Sequence, residues 1–293
     1  MPDEIVKKIM AGVKHILVGT DLSDRSERAC ERGVRLGRER AATVELLHVV
    51  EEGLVVLVRE RERALAQEYL RDWLVSLSQA DRSGVRFNVA IGHPLAGILD
   101  EAHDQNADLI VLGEPGKSGL KELFVGTTVE RVARHSDRPV LIVKRSPSDA
   151  YRRVFVAIDF SEAASRALKA AYEIAPTAEF LAVHAWQVPA VGLAIRQAAE
   201  NNVHDENELL RQRVARQATD HLVALEASQP RPTRIEMIEG NPFFVLRTAI
   251  GSFHPDLLAI GTHARSGIAV TMLGSLAREF LIDAPCDVLV ARA

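Results

Sequence analysis

The sequence predicts an α/β protein made of two tandem domains, each an open, parallel, five-stranded sheet with helices on both faces. Short apolar segments alternate with helical patterns along the chain, and no tight hairpin joins neighbouring segments, which is typical of parallel sheets. A glycine-rich stretch of the first half, Leu109–Thr128, recurs in the second half as Leu257–Ser275, with two of its glycines at the same spacing. This repeat indicates a tandem duplication.

The first half contains five predicted strands separated by helical segments. Residues 1–12 predict a short lead-in helix, and Ser23 or Asp24 would cap the helix that follows the first strand. A charged helix is predicted at about Val58–Leu77 and another helix at Pro94–Asn106. The buried stripe of the charged helix would be Ala66, Leu70, Trp73 and Leu77. The five predicted strands are His15–Gly19, Thr43–Val50, Val85–Ala90, Leu109–Leu112 and Pro139–Val143.

The second half repeats this order after a polar linker at Arg145–Asp149 that contains a proline. We therefore expect domains at residues 1–147 and 148–293. The second copy is longer between its second and third strands, which indicates an insertion around Gln187–Asn207 that forms a lid, a partner surface or a lengthened helix. The predicted strands are Val154–Ile158, Phe180–Ala185, Arg234–Ile238, Leu257–Ile260 and Val288–Ala291.

Composition and charge favour a soluble globular protein. The chain has 293 residues, of which 47% are hydrophobic and 26% charged, enough for two domains with their own cores. The net charge of −4, without long blocks of like charge, argues against a nucleic-acid partner. No apolar run has transmembrane length and the N-terminus lacks a signal-peptide core, so we expect a cytoplasmic protein without a membrane partner. Cys30 and Cys286 lack the spacing of metal or disulfide sites.

The glycine-rich stretch of the first half has the chemistry of an anion site. Gly113 and Gly116 follow a predicted strand, where a missing side chain lets backbone N–H groups approach a ligand. Gly126, Thr127 and Thr128 then open a helix, whose free N–H groups, hydroxyls and dipole favour an anion. The pattern predicts a phosphate cradle, although turn geometry and helix capping alone also select such residues. A Walker-type loop is excluded, because valine stands at position 111, where that motif needs glycine.

The spacing Gly113-x2-Gly116-x9-Gly126-Thr127 resembles the nucleotide-binding signature of the universal stress proteins, and the doubled chain is similar to their tandem members. The resemblance extends to an aspartate after the first strand, Asp21, and to Gly-x-Pro turns at 92–94 and 240–242. It implies the strand order 3-2-1-4-5 in each half. In that order, strands 1 and 4 are neighbours at the switch point of the sheet, where ligands of open α/β folds bind.

The resemblance also implies what the first half binds. The expected ligand is ATP, or AMP or ADP, with Mg²⁺ accompanying ATP. Asp21 would accept hydrogen bonds from ribose hydroxyls, the backbone of Val49 would contact adenine, and Gly19 and Leu112 would flank the pocket. The expected function is that of an adenine-nucleotide-binding stress-response regulator or sensor with an unknown protein partner, not an enzyme. A slow Mg-dependent ATPase that uses Asp21, and a non-binding structural or interaction module, remain alternatives.

The second half departs from the signature, because Ala264 replaces the glycine that would match Gly116. A methyl group there would block close backbone approach or disfavour a positive φ. We therefore expect one nucleotide per chain. The residues that a second, weaker site would use are Asp159, Gly261, Gly274 and Ser275.

Two further expectations concern the relation between the halves. By resemblance, the edges formed by Pro139–Val143 and Val288–Ala291 meet, so that the halves pack as an intramolecular pseudo-two-fold pair, and a homodimer of the whole chain is left open. His48 and His184 occupy equivalent positions on the second strands. Without a neighbouring acid or nucleophile at a catalytic spacing, we interpret them as a repeated structural feature.

Overall fold

The structure, a computed structural model, describes residues 12–115, 127–187, 216, 233–262 and 274–293 and confirms the α/β class. The predicted lead-in helix lies outside the described residues, as does the insertion beyond Gln187. The same is true of three positions that matter for the glycine signature, which are Gly116, Gly126 and Ala264.

Ten strands are found in the part of the chain that the structure describes, five in each half. Their bounds agree with the predicted ones to within a residue or two. Those of the first half are β1 His15–Gly19, β2 Thr43–Glu51, β3 Val85–Gly92, β4 Leu109–Gly113 and β5 Val140–Val143. Those of the second half are β6 Arg153–Ala157, β7 Glu179–Trp186, β8 Arg234–Glu239, β9 Leu257–Gly261 and β10 Asp287–Ala291.

The described helices cover both faces of the sheet. One face carries α1, α2 and α6 over a core that includes Leu36, Leu70 and Leu168, and the other face carries α4, α5, α7 and α8. A short helix, α3, follows α2. The helices are α1 Asp24–Arg40, α2 Val56–Ser76, α3 Gln79–Arg82, α4 Pro94–Asp104, α5 Thr128–His135, α6 Glu162–Ile174, α7 Pro242–Phe253 and α8 Ser275–Asp283.

The strand order is β3-β2-β1-β4-β5-β10-β9-β6-β7-β8, so each half has the expected order 3-2-1-4-5. Pairing is parallel within each half and antiparallel between β5 and β10. Leu141 lies opposite Leu289, its counterpart in the repeat, and the flanking pairs exchange partners symmetrically. A pseudo-two-fold axis therefore passes between these two leucines. The predicted meeting of the two edges is confirmed, and it joins the two predicted sheets into one continuous sheet.

The charged helix α2 begins two residues earlier than predicted and ends before Leu77, which is its C-cap residue. Ala66 and Leu70 are buried as expected. Trp73 is half-buried, and its Nε1 donates a hydrogen bond to Glu27 on α1 over 3.1 Å. The predicted stripe is therefore correct in its N-terminal half and weaker in its C-terminal half.

A buried polar cluster connects the two halves next to the β5–β10 junction. Arg32 on α1 lies with its Nε 3.5 Å from Asp287 Oδ2, and its guanidinium stacks over the ring of Tyr151 at 4.2 Å. The Tyr151 hydroxyl donates to Asp287 Oδ2 over 2.6 Å, while Asp287 Oδ1 accepts from the backbone N–H groups of Lys144 and Arg145. Burial, followed by the nearby Asp287 carboxylate, raises the pKa of Tyr151, so its hydroxyl stays protonated as a donor.

Candidate functional site

A cavity of about 290 Å³ lies beyond the carboxyl ends of β1, β2 and β4, at the switch point between β1 and β4. It brings together most of the predicted site residues that the structure describes. Those that line it are Gly19, Asp21, Val49, Leu112, Gly113 and Thr128. Thr127 does not line it but caps the helix beside it, where its Oγ1 accepts from the N–H of Glu130 over 3.2 Å. Gly116 and Gly126 lie outside the described residues.

Asp21 is held in a fixed orientation by the turn that leads into α1. Its Oδ1 accepts hydrogen bonds from both the N–H and the hydroxyl of Ser23, and the residue between them, Leu22, has a positive φ of 63°. Burial by itself raises the pKa of Asp21, but hydrogen bonds, mainly from Ser23 and Ser26, outweigh it, so the pKa lies below its usual value. The cavity therefore contains an ionised carboxylate, which acts as a hydrogen-bond acceptor.

His48 supports the same turn from the neighbouring strand. Its Nδ1 lies 2.9 Å from the carbonyl oxygen of Thr20, and because a carbonyl can only accept, the ring must donate from this nitrogen. His184 makes the equivalent bond to the carbonyl of Ile158 over 2.8 Å. The two histidines therefore share one structural contact, in agreement with their interpretation as a repeated structural feature.

Arg25, in the first turn of α1, also lines the cavity. Its Nη1 is buried and has no hydrogen-bond partner among the described residues. Because Arg25 lines the cavity, an anion bound there would lie beside this guanidinium and offset its charge. The start of α5, represented by Thr128 and Val129, forms another wall and contributes the N–H groups of a helix N-terminus.

Gly113 has a structural requirement that the sequence did not indicate. A Cβ atom at this position would lie 2.6 Å from the carbonyl oxygen of Arg25, so the missing side chain lets the first turn of α1 pack directly on β4. Gly261 has the same relation to α6, with a Cβ position 2.6 Å from the N–H nitrogen of Ala164. These two glycines thus serve helix packing at the cavity floor in both halves.

Comparison with known proteins identifies the family. The model of the "Universal stress protein family" matches residues 12–144 and again residues 150–292. The chain belongs to the universal stress protein family. Two relatives each match a little less than half of this tandem member. A universal stress protein of Methanocaldococcus jannaschii is 32% identical over 143 residues, which is 45% of this chain and 82% of that protein. A universal stress protein of Bacillus subtilis is 32% identical over 144 residues, 44% of this chain and 97% of that protein.

Two solved structures resemble this universal stress protein over both halves. A universal stress protein of Archaeoglobus fulgidus has a TM-score of 0.68 at 20% identity, covering 95% of this chain and 98% of that one. A protein of unknown function from Pseudomonas aeruginosa has a TM-score of 0.65 at 17% identity, covering 98% and 94%. At such identities the likeness establishes the tandem fold.

The second universal stress domain has a smaller cavity, of about 170 Å³, at the equivalent position. All four residues predicted for it line this cavity, namely Asp159, Gly261, Gly274 and Ser275. Asp159 repeats the turn of the first half, since its Oδ1 accepts from the N–H of Ser161 over 3.0 Å and Phe160 has a φ of 62°. The counterpart of Arg25, however, is Ala163, so this wall lacks a guanidinium.

The cavity walls include residues that sequence reasoning missed, and only some of them had a detectable signal. Arg25 is a cation in a first helical turn, where the helix dipole disfavours positive charge, and that anomaly marked it as unusual. The apolar wall residues Leu47 and Ile98 had no signal beyond ordinary core periodicity. Glu114 extends β4 and pairs with Arg28 across 3.3 Å, a contact that needs the folded sheet.

Other candidate chemistries find little support in the described residues. Burial raises the pKa of Cys30 and of Cys286 to about 12, so neither thiol is a ready nucleophile. Within the described ranges, no three His, Cys, Asp or Glu side chains are grouped closely enough to hold a metal ion. None of the described helices is long and apolar enough to cross a membrane.

Proposed function

We propose that the first half binds an adenine nucleotide, ATP or its di- or monophosphate, and that occupancy of this site regulates the protein as a stress-response sensor. The observation that carries the proposal is the presence of both charges in the lining of one cavity: the ionised carboxylate of Asp21, and Arg25, whose Nη1 has no hydrogen-bond partner among the described residues. A nucleotide has hydroxyls for the first group and phosphates for the second.

The remaining walls match the other parts of a nucleotide. Leu47, Val49, Ile98 and Leu112 supply apolar surface for a base. The N-terminus of α5 faces the cavity through Thr128 and Val129 and favours phosphate through its N–H groups and dipole. The volume of about 290 Å³ is near the lower limit of roughly 300 Å³ that is usual for small-molecule sites. When ATP is bound, its phosphates would also carry Mg²⁺, and the chain itself would supply orientation.

Helix α1 offers a route from this cavity to the junction between the halves. Its first turn lines the cavity. Further along, Arg28 donates to the carbonyl of Lys144, just before the linker, and Arg32 to that of Asp149 in the linker, each over 2.9 Å. A ligand that shifts the first turn of α1 therefore moves the same helix whose Arg32 contacts Asp149 and Asp287 at the junction. This connection supports a regulatory role, in which ligand binding changes the surface or the assembly of the protein, over a role as an enzyme that hydrolyses the ligand.

Isothermal titration with ATP, ADP, AMP and adenosine, with and without Mg²⁺, tests the proposal. Arg25→Met should weaken ATP binding about tenfold or more and leave adenosine unchanged, because only the phosphates use the guanidinium. Asp21→Asn should weaken both ligands. The matched control is Asp159→Asn, which alters the equivalent turn in the second half and should leave the first site unaffected.

Three outcomes would redirect the proposal. The wild-type chain could fail to bind any adenine nucleotide in titration, and mass spectrometry could find none released from freshly purified protein. The structural or interaction module would then be the remaining function. Mg-dependent release of phosphate that Asp21→Asn abolishes would establish the slow ATPase instead. Equal loss of ATP and adenosine affinity in Arg25→Met would contradict the phosphate role of Arg25.

A further inference from the structure

A second concave surface lies in the second half, between the edge strand β8 and helix α7, away from both cavities described above. It has a volume of about 560 Å³. Its floor is apolar and is formed by Leu181, Ile238, Val245, Ala249 and Phe253. We call this surface the β8–α7 groove.

The equivalent groove of the first half is filled by interlocked polar side chains. Arg86 bonds to Glu45 over 2.5 Å and to Gln105 over 2.6 Å. Gln105 in turn donates to Glu101 over 3.0 Å, and Asn88 donates to Glu101 over 3.2 Å. The network joins β2, β3 and α4 directly, side chain to side chain.

The second half has lost this network at three positions. In the repeat, Leu181 replaces Glu45, Ala249 replaces Glu101 and Phe253 replaces Gln105. Two of these changes supply apolar surface. The change to Ala249 shortens the side chain to a methyl group, so no described residue fills the space that Glu101 fills in the first half.

The groove of the second half has also lost negative charge. Helix α4 presents Asp100 and Asp104 where helix α7 has Thr248 and Ser252, so the acidic helix face has become neutral. Arg234 is paired with Glu236. Arg153, the other arginine of the lining, stacks over the ring of Phe253 at 4.3 Å.

The guanidinium of Arg153 has one long ion pair, with Glu179, and its side chain is 41% exposed. Its Nε is buried without a hydrogen-bond partner among the described residues, and it lies 3.7 Å from a Glu179 carboxylate oxygen, too far for a hydrogen bond. Because the side chain is 41% exposed, a negatively charged group in the groove would reach the guanidinium and form a second ion pair with it. A cation held above an apolar floor is complementary to a molecule with an apolar body and one anionic end.

We propose that the β8–α7 groove binds a small amphipathic carboxylate, with its hydrocarbon body on the floor and its carboxylate on Arg153. Nothing in this assignment depends on the nucleotide cavity, which lies at the carboxyl ends of the first-half strands. The open rim, where Phe244 is 66% exposed, gives such a ligand access and additional aromatic surface. The second half would then carry a ligand specificity that the first half lacks.

Methyl-detected NMR of the full chain, saturated with ATP so that the first cavity is occupied, gives the direct test. Octanoate and phenylacetate are the probes, one for an aliphatic and one for an aromatic body. We expect saturable shifts of the Leu181, Ile238 and Val245 methyl groups with at least one probe. Absence of such shifts with both probes at millimolar concentration would overturn the proposal.

Two variants localise the binding. Ala249→Glu restores the side chain that fills the groove in the first half and should abolish the shifts. Its control is Gly251→Glu, which adds the same charge to the same helix at an exposed position, where no described heavy atom lies within 4 Å of the added Cβ. Octanoate binding that survives Ala249→Glu would place the ligand elsewhere and contradict the assignment.

A third variant tests the anionic end separately from the apolar floor. Arg153→Met keeps a long apolar stem over Phe253 and removes the charge. Octanoate affinity should fall about tenfold or more, whereas the affinity for neutral 1-octanol should not change. Equal changes in the affinities for octanoate and 1-octanol, or no change in either, would show that Arg153 does not select a carboxylate. The well-dispersed methyl spectrum of each variant reports that it is folded.

Discussion

The two halves of the chain have the same strand order, and their differences separate what the fold needs from what each half can bind. Three features recur at equivalent positions: the Asp-x-Ser turn with its positive φ, the histidine that bonds to the end of the first strand, and the glycine that admits a helix. Each acts on backbone geometry at the switch point. Recurrence in both halves therefore marks them as requirements of the fold.

The features that do not recur are side chains that face cavities or the junction. Arg25 corresponds to Ala163, Glu101 to Ala249, and Arg32 to Ala170. In each case one half has a long charged side chain where the other has a methyl group. The duplication has thus kept the scaffold and changed the charges that a ligand or the partner half would meet.

The largest expected effect concerns Arg32 at the junction between the halves, since its counterpart Ala170 has no charge. Arg32→Met should leave the carboxylate of Asp287, which is 1% exposed, without its ion-pair partner. Removing one partner of a buried pair costs about 3–5 kcal/mol, and the 3.5 Å separation favours the lower figure. Urea unfolding should show a loss of about 3 kcal/mol.

Arg35→Met is the control for this variant, on the same helix. The Arg35 side chain is 24% exposed, against 7% for Arg32, and its contacts with Glu39, Ser148 and Asp149 are partly exposed to water, so the loss should be about 1 kcal/mol or less. Equal losses for the two variants would mean that the buried cluster contributes no more to stability than an ordinary surface ion pair.

The second effect tests whether Gly113 and Gly261 serve the same packing. Gly113→Ala and Gly261→Ala each introduce a Cβ that meets backbone atoms at 2.6 Å, and backbone yields less easily than a side chain. Overpacking of this kind costs about 1–3 kcal/mol, and we expect similar values in both halves. Gly92→Ala is the control at another strand end, because none of the described heavy atoms lies within 4 Å of its Cβ position. A harmless Gly261→Ala beside a damaging Gly113→Ala would break the equivalence of the halves.

The sequence predicted the scaffold well, because the scaffold depends on local patterns. The run Leu109–Leu112 is short, apolar and bounded by glycine, and it is a buried strand ending at Gly113. Ser23 caps α1 through its side chain, as its residue type and position indicated. The pairing of β5 with β10 came from resemblance to the family, since no local pattern reports which edges meet.

What the sequence could not show are contacts between residues far apart in the chain. Asp287 looks like an ordinary polar residue at a strand start, and its burial becomes evident only when Arg32 and Tyr151 are placed beside it. The role of Gly113 in packing also needed the position of α1. For Gly116, Gly126 and Ala264, which lie outside the described residues, the nucleotide roles stay predictions.

The third effect concerns how many nucleotides the chain binds. We expect one per chain, because the first half alone has the complete glycine signature and Arg25. Ala264→Gly should raise the affinity of the second half, and two equal sites in the wild type would refute the asymmetry. Since the pKa of Asp21 lies below its usual value, its carboxylate is charged throughout the range between about pH 8 and 5, and the adenosine affinity of the first site should be constant there. A loss of affinity at pH 5 would contradict the ionised acceptor.

The smallest effect compares the caps of the two helices that begin at the cavities. Thr127 caps α5 through its hydroxyl, whereas Gly274 occupies the capping position of α8 without a side-chain hydrogen bond in the described structure. Thr127→Ala should cost about 1 kcal/mol, because the capping hydrogen bond is lost. Gly274→Ala should cost less, about half a kcal/mol, because alanine is a poorer N-cap than glycine but no capping bond is lost. At Gly274 a Cβ would lie 3.3 Å from the carbonyl oxygen of Thr262, a contact that a small shift of the loop relieves. Urea unfolding of the two single variants measures the difference.

Because the same first-turn N–H groups would bind phosphate, saturating ATP should reduce the cost of Thr127→Ala and leave that of Gly274→Ala unchanged. A reduction in both variants would mean that the two helix starts bind nucleotide alike.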